Sequence, residues 1–267
     1  MIDLHTHILP GVDDGVKTEE EALEFARMAV ADGTRVLVAT PHCKEGSWIN
    51  DRPAVLEQVA ALRERLAQEG IPLKVEPGAE VHLCPDLPER VRDGRALTLA
   101  DNGRTLLLEL SLNQYPVDLE NLVFQLKLAG IETLFAHPER IRFFQDDISR
   151  YEAVVHLGAW GQITTGSVTG QFGRRAREFS EEVLRKGLVH VLASDSHNLS
   201  GRPPLLSEAR AALVPLIGEE RARAMCEDAP RALLDGKQPE LPLIDDAPVR
   251  RRSVFARWFR RAGGEAN

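Results

Sequence analysis

Along most of the chain, short apolar runs alternate with longer segments whose apolar residues recur every three or four positions. The first pattern marks buried strands and the second amphipathic helices. Residues 1–4, 35–40, 71–76, 105–110, 131–136, 159–164 and 188–193 read as strands. The run Arg35-Val-Leu-Val-Ala-Thr40 is apolar enough to be buried on both faces. Thr18-Glu-Glu-Glu21 is a capping box that opens a helix through Ala22, Phe25, Met28 and Ala29 to a stop at Gly33. Further helices are predicted over 51–68, ending at Gly70, and over 118–129, 148–157 and 174–186, with two or three more between 204 and 234. Residues 97–99 and 105–110 flank Asp101-Asn-Gly103 and predict a hairpin. About seven strands alternating with helices, with no internal repeat, predict parallel βα units in one distorted α/β barrel rather than two domains. The barrel is expected over residues 1–238. A Pro-rich linker (Pro239, Pro242, Pro248) and a C-terminal tail are expected over 239–267.

Composition narrows the class. The 267 residues are 43% hydrophobic and 28% charged, ordinary globular proportions that argue against a disordered, collagenous or disulfide-scaffold protein. No apolar run approaches the roughly 18 residues that span a bilayer. The N-terminus has neither the basic nor the apolar region of a secretory signal. The three cysteines, Cys43, Cys84 and Cys226, are few and scattered, which fits a reducing cytoplasm. The net charge of −8 argues against a general nucleic-acid binder. That average hides a polarity. From Arg250 onward six arginines face one acid, Glu265, so the tail is +5 and the rest of the chain −13. A basic tail on an acidic body points to a partner of the tail's own.

The chemistry collects where the strands end. His5, His7 and Asp14 follow the first strand, His42 the second and Glu80 the third. Glu109 stands at the end of the strand that opens at Thr105, His137-Pro-Glu-Arg140 follows the next strand, and Asp195 and His197 follow the last. In a parallel barrel these ends share one face, where active sites are built. Any one such histidine is more often a surface or satisfied core residue than a ligand. Together the set is a strong signal, because five of the eight histidines fall at strand ends. His82, His156 and His190 do not, and read as structural or surface residues. The period of two puts His5 and His7 on one side of their strand. A carboxylate at Glu109 in so apolar a run costs several kcal/mol unless it is paired or metal-bound.

Imidazole and carboxylate donors without cysteine suit Mn²⁺, Fe²⁺, Co²⁺ or Zn²⁺. Nine ligands are too many for one ion, so two or three divalent ions are expected, with Glu80 placed to bridge two of them. Clustered divalent ions point to hydrolysis, most often of phosphate esters. Arg140 and Arg202 stand just beyond two ligand groups and can clamp a phosphate bidentately.

These residues resemble the polymerase and histidinol phosphatase (PHP) family. The closer resemblance is to its bacterial capsule and exopolysaccharide branch, the manganese-dependent protein-tyrosine phosphatases. The stretches that carry it are Ile2-Asp-Leu-His-Thr-His-Ile-Leu-Pro-Gly-Val-Asp-Asp-Gly15, Ala39-Thr-Pro-His42, Pro77-Gly-Ala-Glu80, Ala136-His-Pro-Glu-Arg140 and Ala193-Ser-Asp-Ser-His-Asn198 with Arg202-Pro-Pro204. The resemblance implies a distorted (β/α)₇ barrel of the PHP type with three metals, Mn²⁺ first among the candidates. One metal would take His5, His7, Glu80 and Asp195. A second would share Glu80 and take Glu109 and His137, and a third would take Asp14, His42 and His197. Arg140 and Arg202 match the branch's phosphate-binding arginines. Asp195 and His197 are the candidates for a general acid. The implied substrate is phosphotyrosine on a membrane-linked bacterial tyrosine autokinase that drives polysaccharide assembly.

Alternatives of other classes are a small-molecule phosphatase of the histidinol-phosphate type, a PHP nuclease, and a non-enzymatic metal-binding regulator of polysaccharide export. Cys84-Pro-Asp-Leu-Pro-Glu-Arg90 fits the C-x₅-R spacing of cysteine-based tyrosine phosphatases, but its two prolines lack N–H groups and its two acids would repel phosphate. In the tail, Val254, Phe255, Trp258 and Phe259 would share one face of a helix ringed by arginines, a pattern that suits peripheral contact with an anionic membrane.

Overall fold

The apolar runs become short strands in the computed structural model, which describes residues 1–244. These are β1 (Ile2–Thr6), β2 (Val36–Ala39), β3 (His42–Cys43), β4 (Lys74–Pro77), β5 (Glu80–His82), β6 (Thr105–Glu109), β7 (Glu132–Ala136), β8 (Trp160–Thr164) and β9 (Val191–Ala193). The helices are α1 (Glu19–Ala31), α2 (Arg52–Gln68), α3 (Leu87–Arg92), α4 (Leu119–Leu128), α5 (Arg142–Asp146), α6 (Ile148–His156), α7 (Thr165–Thr169), α8 (Arg174–Arg185), α9 (Ser207–Ile217), α10 (Glu219–Ala224) and α11 (Asp228–Leu234). No helix among the described residues is long and apolar enough to cross a membrane.

The named strands pair in parallel throughout, in two sheets ordered β1-β2-β4 and β3-β5-β6-β7-β8-β9. The sheets meet at both margins. Thr6 bridges Ser196, with Asp195 N–H donating to His5 O (2.9 Å) and His7 N–H to Ser196 O (2.9 Å). On the other side β2 and β3 are one pass of the chain, broken at Thr40-Pro41, and β4 and β5 are one pass broken at Gly78-Ala79. Proline has no N–H for the ladder. At Gly78 a Cβ would come within 2.8 Å of Val38 and 3.2 Å of Thr40, so the close approach of the two passes there requires glycine.

Alternation along the strands sorts side chains into two layers. Ile2, Leu4, Val36, Val38, Leu107, Leu134, Ala136, Trp160, Val191 and Ala193 form the inner cluster, joined by Ala229, Leu233 and Leu234 of α11. Several of these strand residues open their strands, so α11 packs into the end where the strands begin. Leu37, Val75, Leu106, Leu108, Phe135, Ile163 and Leu192 point the other way and pack with the helices. The inward parity that carries Leu107 also carries Glu109, and that of Val191 and Ala193 carries Asp195. The far end of the interior is therefore polar.

Local signals explain the helix boundaries. Thr18 Oγ1 accepts from Glu21 N–H (3.2 Å), and Glu21 Oε2 accepts from Lys17 N–H (2.8 Å), so the predicted capping box forms with its return bond one residue earlier. Asp51 caps α2 through Ala54 N–H (3.0 Å). The short helices α3, α5 and α7 are too brief to show a helical period and were not expected from the pattern.

The predicted hairpin is corrected. Residues 97–99 form no strand, and β6 pairs in parallel with β5 and β7. The chain before β6 turns instead through a 3₁₀ turn, Leu99–Asp101. Thr98 Oγ1 accepts from Gly103 N–H (2.9 Å), and Asn102 Oδ1 accepts from Arg104 and Thr105 N–H (2.8 and 3.0 Å). Leu97 and Leu99 are apolar because the turn is buried, Leu97 in the outer layer and Leu99 in the inner one. At the other end the described chain stays on the body past residue 238. Leu241 and Ile244 pack against the core, and Arg221 donates to Pro242 O. The predicted amphipathic tail (Val254, Phe255, Trp258, Phe259) lies outside the described residues.

Candidate metal centre

The strand ends bring the predicted donors together. His5 and His7 come off β1 on one side, as their spacing predicts, with Nε2 atoms 3.2 Å apart. Glu80 Oε2 lies 3.3 Å from His5 Nε2 and 3.6 Å from His7 Nε2, and Asp195 Oδ1 lies 3.4 and 3.5 Å from the same two atoms. Donors about 2.1 Å from one divalent ion stand roughly 3.0–3.4 Å apart, so this quartet has the spacing of a coordination shell. All four side chains are almost fully buried.

A second group lies on the outer side. Asp14 Oδ1 is 3.4 Å from both His42 Nε2 and His197 Nε2, and His7 completes that cluster. A third joins Glu80, Glu109 and His42, with His42 Nδ1 at 2.9 Å from Glu80 Oε2 and 3.6 Å from Glu109 Oε2. His137 enters from the far side, its Nε2 2.8 Å from Glu80 Oε1. His42 thus faces two groups through its two nitrogens, whereas the resemblance placed it in one. Glu80 belongs to every group except the Asp14 one, and it contacts His7 and His42 of that one too. All nine predicted ligands are in the assembly.

The unpaired atoms fit metal ions. Among the described residues Glu80 Oε2, Glu109 Oε2, His42 Nδ1 and His137 Nδ1 are buried with no partner in hydrogen-bond geometry, even though His42 Nδ1 and Glu80 Oε2 face each other closely, which costs about 1–3 kcal/mol each unless an ion takes them. Charge packing within the cluster is correspondingly strong. Burial disfavours protonation of His5, but the Glu80 and Asp195 carboxylates outweigh it and raise its pKa to about 9. His42 is raised to about 11, burial again being overcome by Asp14 and Glu80. Burial pushes Glu80 and Asp195 up, yet the surrounding histidines, and Arg202 for Asp195, hold both well below the usual carboxylate range. Glu109 is raised by burial and by Glu80. Deprotonated carboxylates beside displaceable imidazolium protons are what a divalent ion exchanges with.

Four contributors were missed in the sequence. Asp13 Oδ2 accepts from His7 Nδ1–H (2.7 Å) and His42 N–H (3.0 Å), while its Oδ1 accepts from Gly15 N–H (2.9 Å). Gln162 Oε1 lies 3.0 Å from His5 Nδ1. Each fixes a tautomer and leaves Nε2 free to ligate. Trp48 stacks on His42, with ring centroids 4.9 Å apart and planes 18° off parallel, at the edge of a cavity of about 390 Å³ lined also by Cys43, His82 and Arg90. Phe172 lies beneath Arg140 and Arg202. Gln162 was detectable in principle, as a polar residue on the inward parity of a buried strand. The others depend on contacts between distant segments.

His137 (φ +34°) and Asp195 (φ +51°) occupy the left-handed region, which is strained for residues other than glycine and clusters at functional sites. Both arginines reach Asp195 Oδ2, Arg140 at 2.8 Å and Arg202 as a close ion pair. The histidines set aside stay aside. His156 is exposed, and His190 Nδ1 accepts from Gly161 N–H (3.2 Å). Cys84 precedes α3, where Arg90 is tied to Asp86 and Glu45, and burial pushes its thiol up to about 11. That is the reverse of an activated nucleophile. A larger cavity, about 1080 Å³ between α3 and α4, is lined by none of the predicted site residues.

Known proteins resemble this chain over most of its length. Residues 1–235 match the family model described as capsular polysaccharide synthesis, CpsB/CapC. Tyrosine-protein phosphatase YwqE of Bacillus subtilis is 36% identical over 258 residues, covering 96% of this chain and 99% of that protein. Tyrosine-protein phosphatase CpsB of Streptococcus pneumoniae is 30% identical over 243 residues, covering 88% and 98%. A crystal structure from work on YwqE and CpsB, described as unique metal-dependent tyrosine phosphatases, superposes with a TM-score of 0.85 at 35% identity, covering 91% of this chain and 99% of that one. A probable 2-pyrone-4,6-dicarboxylic acid hydrolase of Acinetobacter baumannii, 14% identical with a TM-score of 0.53, shares the fold alone.

Proposed function

The chain belongs to the capsular polysaccharide synthesis CpsB/CapC family, and on that premise we propose that it is a metal-dependent protein-tyrosine phosphatase of a capsule or exopolysaccharide pathway. The observation that carries this reading is the convergence of nine donors at the strand ends, seven of them in groups at coordination spacing, with Asp195 beside His5 and His7, His137 against Glu80, and two arginines at the edge. His5, His7, Glu80 and Asp195 would hold one ion, Glu80, Glu109 and His137 a second, and Asp14, His42 and His197 a third, with His42 Nδ1 also within reach of the second. Mn²⁺ is the proposed metal, because the set is rich in carboxylates and lacks thiolates. When bound, such ions supply an acidified water and neutralise charge on phosphoryl oxygens.

The chain's own groups do the rest. Arg140 and Arg202 keep N–H donors beyond those given to Asp195 and are placed to bind two phosphoryl oxygens as charge builds on them. Asp13 and Gln162 orient the two β1 histidines. Neither candidate general acid is retained. Asp195 is held ionised, and His197 offers its Nδ1 side to the Asp195 carbonyl (3.0 Å) and its Nε2 to Asp14. A phenolate of solution pKa about 10 leaves with little need for one.

The proposed substrate is a phosphotyrosine protein, a membrane-linked bacterial tyrosine autokinase, met in the cytoplasm. The basic tail beyond residue 249 would raise the local concentration of such a substrate by contact with anionic lipid. The test is turnover of a phosphotyrosine peptide against histidinol phosphate by protein stripped with chelator and reloaded with Mn²⁺. Preference for the peptide is expected. Faster turnover of histidinol phosphate would replace this reading with the small-molecule one.

A further inference from the structure

Two guanidiniums aimed at one carboxylate oxygen repel each other, and something besides Asp195 must hold them. Phe172 lies where it can. The Arg140 Cζ stands 4.6 Å from its ring centroid and the Arg202 Cζ 5.6 Å. Both arginines are about one-fifth exposed, at 22% and 23% of the side chain, so the ring faces them in a partly dry setting. An aromatic face attracts cations within about 6 Å of its centroid. Among the described residues Arg202 Nε is buried with no hydrogen-bond partner, and there the ring and Asp195 are what steady that side chain.

The segment bearing Phe172 is tied to both arginine loops. Glu139, next to Arg140 and fully buried, accepts from Thr164 N–H (3.0 Å), Thr164 Oγ1–H (2.7 Å) and Ser167 Oγ–H (2.7 Å) at the start of α7. Gln171 Nε2 donates to the carbonyl of Gly201, next to Arg202. Phe172 N–H donates back to Gly166 O (3.3 Å), and a Cβ on Gly166 would come within 2.7 Å of the Phe172 ring. The chain therefore folds the ring back over a glycine and fastens the turn on either side to the residues that precede the two arginines.

We propose that Phe172 is a positioning residue, a shared cation–π platform that holds Arg140 and Arg202 side by side for the phosphoryl group. This rests on the reading of the two arginines as a phosphate clamp. Its effect passes through the two guanidiniums, each of which reaches Asp195 Oδ2 at the edge of the donor cluster.

The test compares Phe172→Leu, which keeps apolar bulk but loses the π face, with Phe172→Tyr, which keeps it. Full-length Mn²⁺-loaded protein is assayed for kcat and KM on a phosphotyrosine peptide, for competitive inhibition by inorganic phosphate, and for metal content. Phe172→Leu is expected to lose roughly five- to thirty-fold in kcat/KM, the size of two partly exposed cation–π contacts. Phosphate inhibition should weaken in step and metal content stay unchanged, with Phe172→Tyr within about two-fold of the parent. In an Arg140→Ala, Arg202→Ala background the Phe172→Leu loss should nearly vanish. Equal losses in Leu and Tyr variants, or a loss undiminished without the arginines, would overturn the platform. So would a raised peptide KM with phosphate inhibition intact, which would make Phe172 a contact for the substrate ring. Arginine variants as active as the parent would instead overturn the clamp itself.

Discussion

Asp13 offers a sharp test of the centre because every partner of its carboxylate is a donor. Oδ2 accepts from His7 Nδ1–H and His42 N–H, and Oδ1 accepts from Gly15 N–H. Burial raises the Asp13 pKa, but the bonds from His7, Gly15 and His42 outweigh it and leave the carboxylate favoured. Asp13→Asn keeps the shape and offers one acceptor where two are used. If its oxygen keeps His7 and His42, its NH₂ faces Gly15 N–H, and a buried donor left without an acceptor costs about 1–3 kcal/mol. A Cβ at residue 15 would fall on the His7 backbone, so that turn has no room to retreat. If the amide flips, His7 loses its acceptor and the tautomer that presents Nε2 to the ion. Either way metal affinity should fall about 10- to 100-fold, the usual cost of removing such a partner. The assay is the Mn²⁺ concentration that half-restores activity after chelation, read alongside bound metal by elemental analysis. Activity at saturating Mn²⁺ should recover most of its parent value, since no ligand is removed. An unchanged half-activating concentration would refute the reasoning, and so would loss of activity with full metal content.

Three other perturbations read separate parts of the molecule. Glu80→Gln should abolish turnover and lower metal content, because Glu80 contacts His5, His7, His42 and His137. In the metal-free variant the His5 pKa, read by NMR, should drop from about 9, and near-normal activity with full metal would remove Glu80 from the centre. Cys84→Ser should leave activity intact while EDTA removes it and Mn²⁺ restores it best, whereas a dead variant of an EDTA-resistant enzyme would return the chemistry to cysteine. His190 is held at about pKa 4, by burial first and then by Arg221, against 6.5 in the unfolded chain. Its contribution is full above pH 6.5 and is lost as pH falls toward 4, at most about 3 kcal/mol. His190→Gln should therefore lose less stability than the parent between pH 7 and pH 4.5 in urea melts, and parallel losses would show that His190 is not buried neutral.

The proposed ligand set is legible in the sequence because it obeys strand periodicity. His5 and His7 differ by two, Glu109 shares the parity of Leu107, and Asp195 that of Ala193, so inward-facing chemistry follows inward-facing apolar residues. What it could not carry depends on contact between distant segments. The apolar rhythm of residues 97–99 reads the same for a strand as for a buried turn, and only the absence of a pairing partner distinguishes them. Asp13 and Asp14 are adjacent and identical in type, yet one supports His7 while the other faces His42 and His197. Phe172 and Trp48 sit in segments with no period at all, and their roles exist only once the rings lie against Arg140, Arg202 and His42.

Strand register explains how donors can crowd here. A continuous strand spaces same-face side chains by nearly 7 Å along its length, too far for the 2.9 Å between His42 Nδ1 and Glu80 Oε2 unless neighbouring strands align them. A shared register does this: the offset that pairs Ala39 with Pro77 across β2 and β4 carries past Pro41 and Gly78 and sets His42 opposite Glu80 across β3 and β5, which there join the second sheet. Hydroxyls repair the edge that is left. Thr6 N–H donates to Thr40 Oγ1 (3.0 Å), and Thr6 Oγ1–H donates to Val38 O (2.8 Å). At the opposite margin Asp3 Oδ1 accepts from Ser194 N–H (3.1 Å), and burial raises its pKa to about 6. The centre thus lies across the junction between two sheets, and ions bound there would join β1 to β3, β5, β7 and β9 directly. Metal binding and closure of the barrel mouth then stabilise the same state, and because His5 and His42 must shed protons to ligate, that shared stability rises with pH.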